Sequence, residues 1–78
     1  MIQSSQIREH MDVVGSDGGH VGRVDRVMGQ DIELTKLDIG SGLKHHMIPI
    51  TWVEQIDQGT VRLNMTKDAA KAAWREKH

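Results

Sequence analysis

Glycine interrupts this chain wherever a short apolar–polar alternation runs out: at Gly15-Ser16-Asp17-Gly18-Gly19, at Gly22, at Gly29, at Gly40 and Gly42, and at Gly59. The intervals between these breaks suit strands and leave little room for long helices. Met11 to Val14 starts a first strand, after one turn capped by Ser5 that carries Ile7 and Met11 on one face. Asp17 and Gly18 accept the backbone of a tight turn, so Ser16 to Gly19 reads as a hairpin connection. His20 to Met28 follows as a strand in which Val24 and Val21 fall in opposite parities, so Gly22 marks a bulge or sharp bend between them.

Beyond a turn at Gly29-Gln30-Asp31, "DIELTKL" alternates with Ile32 and Leu34 inward and Asp31, Glu33 and Thr35 outward. "DIGSGLK", residues 38–44, reads as the longest loop. "HHMIPI" is again a strand, with Ile48 and Ile50 inward and Pro49 at an edge or strand end, since it has no N–H to give. Trp52, Val53 and Ile56 have the spacing of a single helical turn, Asp57-Gln58-Gly59 turns the chain, and "TVRLN" points Val61 and Leu63 inward. From Thr66, a good N-cap, the pattern becomes helical over about residues 66–76. Asp68 suits the positive end of its dipole, and Lys71, Arg75 and Lys77 the negative end. Ala70, Ala73 and Trp74 form its apolar stripe. The expected fold is mainly β: one domain over residues 1–78, with a small curved antiparallel sheet or barrel over about 7–65 and one C-terminal helix.

Trp52 and Trp74 are the two aromatic residues, so valine, isoleucine, leucine and methionine must fill the interior. A core of this size supplies roughly 3–5 kcal/mol, and with no cysteine to staple it the expectation is a chain that self-associates, as a homodimer. Ten Lys and Arg against eleven Asp and Glu create no bulk field for nucleic acid or anionic lipid. The absence of cysteine fits a reducing compartment, the cytoplasm by default. "MIQSSQIREHM" has neither the apolar run nor the basic start of a secretory leader, and no segment has the length of a membrane span.

Three patterns carry chemical content. Gly15 to Gly22 is not a nucleotide loop: a phosphate cradle needs its glycines to open a helix or to end in Gly-Lys-Ser/Thr, and here β-prone Arg23-Val24-Asp25-Arg26-Val27 follows. The histidines His45 and His46 are neighbours on a strand, so they face opposite ways, and a metal site would need His10 or His20 from another strand. The ordinary alternative is one histidine packed beside Ile48 and one in solvent. Lys67, Lys71 and Arg75 recur at helical spacing as a basic stripe, which suits RNA phosphates or an acidic partner, and equally a solvated helix face. Ser16 and Ser41 lie in turns, and Asp17, Asp25 and Asp31 with His20 are explained as turn formers and strand surfaces. No catalytic residue, cofactor or metal is therefore assigned, and the chain is not read as an enzyme.

Taken together, Ile7, Met11, Val13-Val14-Gly15-Ser16-Asp17-Gly18, Val21-Gly22-x-Val24-Asp25-x-Val27, Ile32-x-Leu34-Thr35-Lys36, His45-His46-x-Ile48-Pro49, Trp52-Val53 and Trp74 resemble a family of small uncharacterised bacterial proteins, a domain of unknown function similar to the PRC-barrel superfamily. The part most like that superfamily is Gly18-x-x-Val21-Gly22-x-Val24, a turn glycine, a bend glycine and a core valine. Gly18, Gly22, Val24, Trp52 and Trp74 are accordingly the expected structural positions. The resemblance implies a barrel that serves assembly, as in the cytoplasmic part of the photosynthetic reaction centre H subunit and in a ribosome maturation factor, and it carries no active site across. This chain departs from those relatives in showing neither a second domain nor an anchor. The function expected is a non-catalytic interaction module that binds protein, with the surface near His20, His45 and His46 as its candidate contact. Two alternatives stand beside it: a ribosome- or RNA-associated factor using Lys67, Lys71 and Arg75, and a histidine-based metal or pH-sensing protein.

Overall fold

A computed structural model describes residues 4–35 and 45–77. After a short 3-10 turn at Ser4–Gln6, the strands are β1 (Asp12–Val14), β2 (His20–Met28), β3 (Asp31–Leu34) and β4 (His45–Pro49). A second 3-10 turn, Ile50–Trp52, leads to β5 (Val53–Asp57) and β6 (Thr60–Leu63), then to helix α1 (Lys67–Ala73) and β7 (Arg75–Lys77). The fold is mainly β with one helix, as the patterning predicts. The loop expected over 38–44 lies outside the described residues.

The strands form one sheet in the order β5-β6-β1-β2-β3-β4-β7, and its ends, β5 and β7, do not pair, so the sheet curls without closing. All neighbours are antiparallel except β1 and β6, which run parallel with Val13 opposite Val61. The expectation of an antiparallel sheet therefore needs this correction. Hairpin turns dictate orientation only between strands adjacent in sequence, and β1 meets β6 through a pairing that no turn encodes.

β2 is the element that bends the sheet. It pairs with β1 and with β3, and the register slips once against each: between Val13 and Val14 on β1, leaving Val21 as the extra residue, and between Val24 and Arg26 on β2 itself, leaving Asp25. Each bulge adds local twist, and together they turn Val21 and Val24 into the core although the two differ in parity. Gly22, buried between them and paired with Val13, lies under the Leu34 side chain, whose Cδ1 would be 3.3 Å from an added Cβ. The bend expected at Gly22 is thus a pair of bulges flanking it.

Two corrections concern the second half of the chain. Val53 and Ile56 belong to β5 and not to a helical turn; the register of β5 on β6 shifts between Val53 and Gln55, and this bulge gives apolar residues three apart the same face. The helix ends at Ala73, short of the expected 76, because Trp74 turns extended (ψ 159°) and Arg75–Lys77 adds a strand to β4. Ala73 is exposed, and of the expected helix stripe only Ala70 is fully buried, with Trp74 packed partly against the core.

One continuous core joins Ile7, Val13, Val21, Val24, Ile32, Leu34, Ile48, Ile50, Val53, Val61, Leu63 and Ala70, with Met11, Trp52 and Trp74 along its margin. Aliphatic side chains fill it, as the scarcity of aromatics requires. Pro49 sits at the end of β4, where its missing N–H costs no ladder bond. Glu33 is the exception to the alternation in β3: it points away from Ile32 and Leu34 yet is only 1% exposed. It lies in a cross-strand row between Arg26 and Met47, with Arg75 beyond Met47, and its Oε2 is 3.7 Å from Arg26 Nε. Alternation tells which face a residue takes and not whether that face is open.

Candidate functional site

The glycine-rich loop after β1 holds the start of α1. Its backbone closes on itself through Gly15 N–H to Gly19 O (2.8 Å) and Gly18 N–H to Gly15 O (3.0 Å), with Gly18 at φ +82°. The Asp17 carboxylate accepts from Gly19 N–H (3.1 Å) and from Lys67 N–H (3.2 Å), the first amide of the helix. Thr66 Oγ1 accepts from Ala69 N–H (3.2 Å), and Ser16 N–H donates to Met65 O (2.8 Å). The Gly19 and Lys67 amides hold the Asp17 carboxyl below its ordinary range. One orphan amide at the helix start, Lys67 N–H, is thereby met by the chain's own anion, and a second, Ala69 N–H, by the Thr66 hydroxyl. An added Cβ on Gly15 would lie 2.4 Å from Lys67 N, so this loop is shaped for contact with the helix backbone.

On the outward side of β5-β6-β1-β2 the registers line up two rows. One runs Gln55, Arg62, Val14, His20, and the other Asp57, Thr60, Asp12, Arg23. Within them Asp12 Oδ1 stands 3.4 Å from Arg23 Nε and 3.9 Å from His20 Nε2, and Arg62 Nη2 donates to Ser16 O at 2.8 Å, which fixes its guanidinium over the loop. Val14, Gln55, Asp57, Gln58, Thr60 and Arg62 line an open depression of about 310 Å³. Val14 and Thr60 form a low floor, with longer side chains of both charge signs around it.

A second grouping lies at the other end of the sheet. His46, 3% exposed, stacks on Trp74 with ring centroids 3.9 Å apart and planes 19° from parallel, and Lys71 Nζ stands 5.8 Å over the Trp74 ring. Arg75 pairs with Asp31 on β3.

The histidines named from the sequence are thus separated. His20 is exposed at the start of β2, whereas His46 is buried on β4, two strands away in the sheet. The side chain of His45 lies outside the described residues. Among the described residues no group of three or more His, Asp or Glu is placed to hold a metal ion. The basic stripe is also divided: Lys67 opens α1, Lys71 lies against Trp74, and Arg75 is on β7, because the helix ends first. Gly18 serves the turn, Gly22 the close approach to Leu34, Val24 the core, and Trp52 and Trp74 its margin. The outward rows built on Asp12, Gln55, Asp57, Thr60 and Arg62 were not anticipated by motif. Their signal was the polar parity of three short strands, which acquires meaning only once β1 is known to lie beside β6.

Among the described residues no helix is long and apolar enough to cross a membrane. The architecture defines a small, mainly β domain whose open, bent sheet is completed by one short helix. Residues 7–71 match the family described as uncharacterized protein conserved in bacteria (DUF2171), and the chain belongs to that family. No curated protein and no solved structure matches it.

Proposed function

We propose that this chain is a PRC-barrel-like, cytoplasmic interaction module without catalytic activity, which binds a protein partner through the outward face of β5-β6-β1-β2 and associates with itself as a homodimer. The observation that carries the reading is the pair of polar rows on that face, Gln55-Arg62-Val14-His20 and Asp57-Thr60-Asp12-Arg23, surrounding an open depression. Behind it the interior is filled with aliphatic side chains, which moves recognition to the surface. Opposite charges set close together favour a partner of complementary pattern, such as a folded protein surface, over a uniformly anionic polymer.

Native mass spectrometry on untagged protein purified gently from its own cells tests this. The expected spectrum contains a protein partner that is lost from the Asp12→Lys/Arg62→Glu variant while the variant stays folded. Retention of RNA, or of a metal ion removed by a chelator, would replace this reading with the corresponding alternative.

A further inference from the structure

β5 ends the sheet on one side: β6 is its only neighbour in the sheet, so no ladder satisfies the backbone groups along its other edge. The tight turn after it says which groups these are. Gln58 and Gly59 have positive φ, 47° and 82°, which is the two-residue hairpin turn whose flanking residues, here Asp57 and Thr60, exchange their hydrogen bonds. By alternation the N–H and C=O of Ile56 then face away from β6.

The side chains along that edge sort by face. Ile56 packs partly against the core on the inner face, whereas Gln55 and Asp57 point outward, start the two polar rows and line the depression. Glu54, the extra residue of the bulge, is exposed. Asp12, Asp31 and Glu33 each have an arginine beside them, but among the described residues neither Glu54 nor Asp57 has an ion-pair partner. The edge thus sets two uncompensated carboxylates around an apolar side chain.

We propose that this edge takes an extended segment of the protein partner as an added strand, with an aliphatic residue opposite Ile56 and a lysine or arginine on each side of it, one of them opposite Asp57. The inference rests on the function proposed above and names how the partner is held. Strand addition continues the sheet outward: the basic residue lengthens the row Asp57-Thr60-Asp12-Arg23 beside the depression, and the aliphatic one lengthens the core margin at Ile56. A second copy of this chain does not supply the segment. β5 against β5 would set acid near acid, and the other end strand, Arg75–Lys77, has no apolar residue for Ile56. The charges that bar self-pairing at this edge select a basic segment.

The probe is the peptide Thr-Lys-Val-Lys-Val-Lys-Thr with blocked ends, titrated into the full chain and followed by amide shifts in NMR. Shifts are expected to centre on Ile56 and its neighbours. In a strand the valine N–H groups face one edge and the lysine N–H groups the other, and valines on the Ile56 face turn theirs toward β5. N-methylation of the valines is therefore expected to weaken binding about tenfold, the worth of one or two backbone hydrogen bonds, and N-methylation of the lysines far less. The Glu54→Gln/Asp57→Asn variant is expected to bind the unmethylated peptide about fivefold more weakly. Equal affinity of the two methylated peptides, shifts away from β5, or no saturable binding at millimolar peptide overturns the strand addition. Native mass spectrometry on the chain from its own cells then separates the two failures: a retained protein partner leaves the outward face as its site without the edge, and the absence of one removes both.

Discussion

Two glycines of one loop do different work, and a pair of substitutions separates them. Gly18 needs its positive φ of 82° and has open space around it, with nothing within 4 Å of an added Cβ. Gly15 is buried against the Thr66 and Lys67 backbone, which cannot yield as a flexible side chain would. Gly18→Ala is expected to cost about 1 kcal/mol, the penalty for a β-carbon in the left-handed region, and Gly18→Asn less. Gly15→Ala should cost about 1–3 kcal/mol from overpacking, with no relief from Asn. Urea denaturation of the four variants checks the order; equal losses at Gly15 and Gly18 would contradict the close approach. Asp17 in the same loop makes a prediction in pH. Its folded carboxyl titrates below the ordinary 3.8, so the stability it adds is present above that value and is lost as pH falls through the folded pKa. Asp17→Asn should therefore be less stable than the parent at neutral pH, with the gap closing in acid below 3.8. A gap independent of pH, measured across a series of urea titrations, would mean that the charge is not what holds the helix start.

At the scale of elements, strands bounded by glycine turns are legible in the sequence, β2 with its bulges included because Gly22 and the change of parity mark them, whereas a bulge that no glycine marks, as in β5, is not. β2 was readable over His20–Met28 because its length and flanking turns are unambiguous, and β3 because Ile32 and Leu34 alternate. β5 resembles a helical turn in sequence for a definite reason: its bulge puts Val53 and Ile56 on one face at a spacing of three, which is also the signature of a helical turn. The C-terminal helix was extended too far because alanines continue to Ala73 and basic residues follow, whereas Trp74 is drawn to His46 from another strand. The contact face named around the histidines remained uncertain in sequence for the same reason, since which strands are neighbours is not written locally. The bulge account can be tested by deletion. Removing Glu54 leaves Val53 and the isoleucine two apart, a regular alternation, so the variant should stay folded and lose less than about 1 kcal/mol. Removing Arg62 from β6 turns Leu63, fully buried, toward solvent, and that variant should not fold. Circular dichroism melts distinguish the two; equal tolerance would show that β5 and β6 are not locked in the register described.

At the scale of the molecule, the insertion of β1 between β6 and β2 makes the two halves of the chain one folding unit. β5-β6 is a hairpin by sequence and β1-β2 another, but neither buries a core alone, and the seam between them is the parallel pair in which Val13 lies directly opposite Val61, both fully buried. The outward rows proposed to bind a partner cross the same seam, so cooperative folding and the integrity of that surface are one property. Val13→Ala and Val61→Ala should each cost about 2 kcal/mol, from two lost methyl groups and the cavity left behind. Each should lower the urea midpoint in one transition with the slope unchanged, because the whole core is lost together. The double variant carries the decisive information. Residues in contact share one cavity, so its loss should depart from the sum of the singles by about 0.5 kcal/mol or more, whereas sites without a shared neighbourhood add to within about 0.3–0.5 kcal/mol. Additivity, or two separate transitions, would mean that the halves fold independently and that the seam does not bind them. A clear coupling in a single transition places the seam at the centre of stability, and it requires any surface variant that abolishes binding to be checked first for its effect on β1 against β6.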